Sequence, residues 1–190
     1  MNSNLAYQEE PWQEVISGKV VMMSPRPAIN HIRISGNLFQ IFSTYLKGRR
    51  CEPFPDGTDL YLSEKNHFIP DFMIVCDPNK VKANAVYGAP DFVVEVLSLG
   101  SLKRDRFHKM AAYEKAGVQE YWIVNPDSRS IEQYWLEDGK FVLHNAYGIY
   151  SDGMLEKMTE EERAEIVTEF KCRLYDDLVI QVADIFQRVI

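Results

Sequence analysis

The sequence predicts an α/β (α+β) fold in which helices flank a mixed central β-sheet, within one domain that spans residues 1–190. The main observation is a strand–helix–strand succession. Residues 92–97 and 121–124 are apolar runs typical of buried strands, and a helical segment at 102–113 separates them. Strands joined by a helix are parallel neighbours, whereas the short strands elsewhere, separated by Gly- and Pro-containing turns, favour antiparallel pairs.

The N-terminal half predicts one long helix and several short strands. Apolar residues near a helical period predict a helix of about four turns over residues 31–46. Ser17-Gly18-Lys19 indicates a hairpin, and Pro55-Asp56-Gly57 indicates a turn between two strands. The predicted strands of this half are 15–16, 20–23, 51–54, 58–62 and 68–75. Loops are predicted at 25–30 and 77–89, and the second loop could contain a short helix.

The C-terminal part predicts further strands and a short charged helix. The pattern at 178–185 fits either a strand or a helix, and the sequence leaves both open. The remaining predictions are strands at 131–136, 141–144 and 167–172 and a charged helical turn at 159–165.

The composition is that of an ordinary globular protein, with 46% hydrophobic and 26% charged residues. It contains no apolar run long enough to cross a membrane, and its polar start is unlike a signal peptide. Cys51, Cys76 and Cys172 are far apart without a Cys-x-x-Cys pair, which favours a reducing, cytoplasmic location and argues against a zinc site or a disulfide framework. The net charge of −7 argues against simple non-specific binding of nucleic acid.

Two acidic residues lie inside predicted strands. Glu95 interrupts the apolar run 92–97, and Asp71 lies within 68–75. A buried carboxylate is costly unless a cation or hydrogen bonds satisfy it. If the two strands are neighbours, the side chains can meet, and Mg2+ (or Mn2+) would relieve their repulsion. The alternative for Asp71 is that it caps a turn after Pro70.

A family resemblance rests on these residues. Pro70-Asp71, followed after 23 residues by Glu95, resembles the PD-(D/E)XK nuclease signature, although Leu97 stands where that motif has its lysine. The block from residue 90 to 124, with the opening Glu14 to Pro25, resembles the "putative restriction endonuclease" family of the same superfamily. The resemblance implies a restriction-endonuclease-like fold, a catalytic lysine supplied at Lys109, and Glu14 as a third metal or water ligand beside Asp71 and Glu95.

The helix after Glu95 can supply the lysine. Asp105, Lys109, Ala112 and Ala116 are spaced to share one helix face, and the two alanines would let it approach the sheet. The opposite face is also apolar in part, so the sequence leaves open which side is buried. Asp105 and Lys109 could equally be an exposed ion pair.

Several polar residues near Glu95 are candidates for phosphate contact. Residues 98–110 contain four basic residues against one acid. Their side chains could contact phosphate, or they could form a solvated face, and the Ser98 hydroxyl could instead cap the loop. The nucleic-acid-binding candidates are Ser98, Lys103, Arg104 and Arg106.

The leading hypothesis is a Mg2+-dependent DNA endonuclease, a hydrolase whose catalytic residues are Asp71, Glu95 and Lys109. One alternative is a catalytically inactive protein of this fold that binds nucleic acid or serves as an assembly module. Another is an enzyme acting on a different phosphate substrate. The sequence indicates no membrane partner and leaves the oligomeric state open, with a homodimer as one option.

Overall fold

The structure, a computed structural model, describes residues 12–22 and 27–190. Met23, predicted to end the second strand, and residues 25–26 of the predicted loop lie outside the described residues. The strands are β1 (Gln13–Ile16), β2 (Lys19–Met22), β3 (Glu52–Pro55), β4 (Leu60–Ser63), β5 (Asn66–Phe68), β6 (Phe72–Val75), β7 (Val86–Tyr87), β8 (Phe92–Val96), β9 (Glu120–Asn125), β10 (Ser130–Glu137), β11 (Lys140–Gly148), β12 (Glu169–Lys171) and β13 (Val179–Gln181). The α-helices are α1 (Ile29–Leu46), α2 (Met110–Ala116), α3 (Asp152–Leu155), α4 (Glu160–Ala164) and α5 (Val182–Ile185).

A six-stranded mixed sheet is the centre of the fold, in the order β11–β10–β9–β8–β6–β3. β8 and β9 are parallel and are joined through α2, while β6 pairs antiparallel with β8. The predicted mixed sheet and strand–helix–strand unit are therefore confirmed. The long helix is also confirmed, and it extends from Ile29 to Leu46 because its apolar face packs on this sheet.

A second sheet was not predicted. Its five strands have the order β2–β1–β5–β4–β7. The apolar run 68–75, predicted as one strand, is divided between the sheets, with Phe68 ending β5 and Phe72 beginning β6. Pro70 lies at the division, where its missing N–H costs no ladder hydrogen bond. Asp71 consequently lies at the entrance of β6, where the chain passes from one sheet to the other.

The crossover helix begins with a π-helical turn, Arg104–Lys109, which runs directly into α2. A π-helix has a wider turn than an α-helix. Asp105, Lys109 and Tyr113 are buried, whereas Ala116 is exposed. Of the residues spaced to share one helix face, Asp105 and Lys109 are therefore buried and Ala116 is not.

The two faces of the large sheet carry separate cores. Phe92, Val94 and Val96 of β8 face a core that includes α1 and the C-terminal segment. Val93 and Leu97 face the other core, which includes Tyr113 of α2. Glu95 shares the strand face of Val93 and Leu97, so its carboxylate lies on the side of α2. The C-terminal segment, left open by the sequence, contains both a strand, β13, and a helical turn, α5.

The cysteines differ from the expectation. β3 pairs antiparallel with β6 so that Glu52 lies opposite Val75. Cys51 and Cys76 are therefore opposite each other, with Cα atoms 4.0 Å apart, and form a disulfide. Their separation of 25 residues hides this proximity in the sequence, while Cys172 is free and buried. Within residues 12–22 and 27–190, no helix combines the length and apolar composition needed to cross a bilayer.

Candidate active site

Glu95 lies in the middle of β8, and its carboxylate is buried. Lys109 Nζ donates to both of its oxygens, at 3.0 Å and 3.1 Å. The Tyr113 hydroxyl donates to Oε1 at 2.7 Å. The cation that the burial of Glu95 requires is therefore Lys109, and the crossover helix brings it there.

Lys109 is also bound by a second glutamate. Its Nζ lies 2.7 Å from Glu14 Oε1 and 3.8 Å from Asp105 Oδ1. Glu14 Oε1 also accepts a hydrogen bond from the Ile69 backbone N–H at 3.0 Å. Burial lowers the pKa of Lys109, but the negative charges of Glu95, Glu14 and Asp105 outweigh it and raise that pKa above its usual value. The lysine is thus held as an ammonium between β1 and β8.

Asp71 reaches the same place from the start of β6. Phe72 pairs antiparallel with Val94, so the same register, extended by one residue, places Asp71 opposite Glu95. Asp71 Oδ2 accepts the Val96 backbone N–H at 2.6 Å, which fixes the carboxylate. Oδ1 lies 3.1 Å from Nε2 of His31, in the first turn of α1. Burial lowers the pKa of His31, but the hydrogen bond and charge of Asp71 raise it overall.

Acidic charge exceeds basic charge in this interior. Four acids are buried, namely Glu14, Asp71, Glu95 and Asp105, with Lys109 as the fully buried base. The partly buried Arg104 adds a second cation, its Nε 3.5 Å from Glu14 Oε2. Burial raises the pKa of Glu95 well above its ordinary value, the neighbouring acids raise it further, and Lys109 opposes them. A divalent cation would offset this surplus of negative charge.

One group of side chains among the described residues has the geometry to hold such an ion. His31, Asp56 and Asp71 each offer a ligand atom, and these atoms lie within 4.8 Å of one another. The sequence did not single out His31, at the start of the predicted helix, or Asp56, in the predicted turn. It also did not single out Tyr113, whose hydroxyl contacts Glu95. Nothing local in the sequence distinguishes these roles, because all three depend on the tertiary arrangement.

The four predicted nucleic-acid-binding residues are divided by the structure. Ser98 and Lys103 are exposed in the loop and turn after β8. Arg104 instead points inward, near Glu14 and Asp105. Arg106 makes two hydrogen bonds of 2.7 Å to Glu132, so its guanidinium is already paired.

The mixed sheet, its crossover helix and the convergence of two acids with a lysine define a chain of restriction-endonuclease-like fold. The family model Uma2, described as "Putative restriction endonuclease", matches residues 4–167, so the chain belongs to that family.

Two individual proteins are similar to this chain. A solved structure from Anabaena variabilis ATCC 29413, described as a "putative nuclease" of DUF820, superposes with a TM-score of 0.62 at 18% identity, covering 94% of this chain and 91% of that one. An uncharacterized protein of Synechocystis sp. (strain ATCC 27184 / PCC 6803 / Kazusa) is 31% identical over 119 residues. That match covers 61% of this chain and 63% of the Synechocystis protein, which is less than two thirds of its length.

Proposed function

We propose that this chain is a divalent-metal-dependent endonuclease that hydrolyses phosphodiester bonds in DNA. The observation that carries the proposal is the convergence of Asp71, Glu95 and Lys109 from three separate elements. Lys109 Nζ is 3.0 Å from Glu95, and Asp71 is tied to the backbone of the next residue, Val96. Membership of the nuclease family supports the same reaction class.

The donor set of this site fits a divalent cation. Asp71 is buried, fixed through one oxygen, and adjacent to further acids, which is the arrangement that Mg2+ or Mn2+ favours. We assign Asp71 as a metal ligand; Glu95 and Glu14 are the companion ligands that the sequence predicted. A bound divalent ion would offset the repulsion between these acids and a phosphodiester, and it would lower the pKa of a coordinated water.

The chain's own residues would then have distinct tasks. Lys109 carries a positive charge, and its ammonium could contact a phosphate oxygen or orient the attacking water. Glu95 and Glu14 hold that ammonium in place from two sides. Tyr113 fixes the Glu95 carboxylate through its hydroxyl. Ser98 and Lys103, exposed after β8, are the predicted contacts for the phosphate backbone.

Plasmid cleavage with and without Mg2+ or Mn2+ tests this proposal. We expect wild-type protein to convert supercoiled DNA only when a divalent ion is present, and Glu95→Gln to lower the rate by at least about 100-fold. Glu120→Gln is the matched control, because Glu120 is an equally buried glutamate on the neighbouring strand. Absence of cleavage of plasmid, linear and branched DNA with either ion would contradict the proposal.

A second candidate function is a nucleic-acid-binding or assembly module without catalysis. It is favoured by the complete burial of Lys109, whose ammonium is already bound by Glu95 and Glu14. This alternative predicts salt-dependent DNA binding that survives Glu95→Gln and needs no metal. Binding that disappears with that substitution would count against it.

A further inference from the structure

We propose that the metal ion of this site lies on the α1 side of Asp71, bound by Asp71, Asp56 and His31, and that Mn2+ is preferred over Mg2+. The proposal rests on the function proposed above and assigns the ligands of that same site. It replaces the predicted companions Glu14 and Glu95 with two residues that the sequence did not single out.

The orientation of Asp71 is the first argument. One of its oxygens is occupied by the Val96 N–H at 2.6 Å on the side of β8. The other faces His31 Nε2 at 3.1 Å, on the side of α1. A backbone hydrogen bond to one oxygen of a carboxylate, such as that from Val96, can orient the other oxygen toward a metal. The Asp71 oxygen that does not bind the β8 backbone therefore lies beside His31, on the side of α1.

The second argument is competition between cations. Both oxygens of Glu95 and one of Glu14 already contact the Lys109 ammonium. Neither Asp56 nor Asp71, in contrast, pairs with a lysine or arginine among the described residues.

The third argument is distance. One ligand atom from each of His31, Asp56 and Asp71 lies within 4.8 Å of the other two. Atoms bound to one ion at about 2.1 Å lie within about 4.2 Å of each other. Small side-chain rotations would therefore close this group on an ion. The three residues come from the start of α1, the β3–β4 turn and the entrance of β6, so all three are positioned by the fold.

The imidazole determines the choice of ion. Mg2+ favours oxygen ligands and releases water reluctantly, whereas first-row transition ions accept imidazole nitrogen readily. A site with one nitrogen and two carboxylates is therefore better matched to Mn2+. We expect tighter binding of Mn2+ than of Mg2+ by the intact chain.

Mn2+ binding, measured by the EPR signal of free Mn2+ and by calorimetry, tests the ligand set. His31→Ala and Asp56→Asn should each weaken binding by at least about 10-fold. His67→Ala is the matched control, because His67 also pairs with one aspartate, Asp59, at 2.6 Å but belongs to no such group within residues 12–22 and 27–190. That control should bind within about twofold of wild type. Normal Mn2+ binding by His31→Ala and Asp56→Asn, with loss in Glu95→Gln, would overturn the assignment.

A second measurement needs no substitution at the site. Pulsed EPR of the bound Mn2+ should show 14N coupling from a directly bonded imidazole, and this coupling should persist in His67→Ala. Absence of 14N coupling in bound wild-type protein would contradict ligation by His31. Mn2+ binding that depends on His31 and Asp56 without DNA cleavage would support the metal site and defeat the nuclease proposal. Metal-dependent DNA cleavage, together with unchanged Mn2+ binding in His31→Ala and Asp56→Asn, would support the nuclease proposal and defeat this metal site.

Discussion

Two buried glutamates on neighbouring strands are satisfied in different ways. Glu95 of β8 lies on the α2 face of the sheet, where it contacts the Lys109 ammonium and has several other acids nearby. Glu120 of β9 lies on the opposite face and accepts hydrogen bonds from Trp122 Nε1, Gln133 Nε2 and the Arg173 N–H, at 2.7, 2.6 and 2.7 Å. Burial raises the pKa of both carboxyls.

This difference distinguishes a buried carboxylate with a structural role, Glu120, from one in a candidate functional site, Glu95. Three N–H donors satisfy one carboxylate locally, and the Glu120 network joins β9 to the C-terminal segment through Arg173 and through Gln133, which donates to the Lys171 carbonyl. Around Glu95 the charges do not balance, because Glu14, Glu95 and Asp105 share Lys109 and Arg104, and Asp71 adds a fourth buried acid. Such a surplus has no structural use, which is why we place the chemistry there.

The largest expected effect on stability comes from removing the Lys109 ammonium that contacts Glu95. Lys109→Met would leave Glu95 and Glu14 buried without their shared ammonium. Breaking a buried pair from one side costs about 3–5 kcal/mol. We expect a loss of this size in the free energy of unfolding by urea, together with loss of DNA cleavage.

A control for that substitution is Lys140→Met. Lys140 also pairs with a glutamate, Glu114, at 2.8 Å, but the lysine side chain is 76% exposed. An exposed pair contributes about 1 kcal/mol or less. Equal losses in the two variants would mean that the burial of Lys109 carries no special energetic weight, and the contrast drawn above would fail.

The strand–helix–strand unit was predictable because its signals are local. An apolar run with one acid marks β8, helical spacing marks the crossover, and Gly117, in left-handed conformation with φ 86°, ends α2. The division of 68–75 between two sheets was not predictable, since that run is continuously apolar around Pro70 and Asp71. Which neighbours a strand acquires depends on tertiary packing.

The residues of the candidate site likewise divide into those that the sequence predicts and those that it does not. Asp71 and Glu95 stand out because each is an acid among apolar residues, and Lys109 followed from the family resemblance. His31 and Asp56 precede Asp71 by 40 and 15 residues, and only folding brings them to it. Glu120 was not singled out, since the predicted strand began after it, at residue 121.

A smaller effect is expected on the other face of the sheet. Glu120→Gln replaces one acceptor oxygen by an NH2 group, so at least one of the three N–H donors loses its partner. An unsatisfied buried donor costs about 1–3 kcal/mol. We expect a loss of this size in urea unfolding, with DNA cleavage at the wild-type rate. Cleavage that falls in proportion to stability would show that the two faces are coupled and that Glu120 is more than a structural residue.

The smallest expected effect is the change with pH in the stability difference between wild type and Glu120→Gln. Burial raises the pKa of the Glu120 carboxyl above 4.5 in the folded state, so the folded chain holds this proton more tightly than the unfolded chain. Its ionisation therefore costs stability as pH rises above 4.5, and the cost is complete above the folded pKa. The stability of wild type relative to Glu120→Gln should decline as pH rises above about 4.5 in urea titrations of dilute protein. All other ionisable groups are the same in the two proteins, so a difference that stays constant with pH would mean that Glu120 ionises as it does in the unfolded chain.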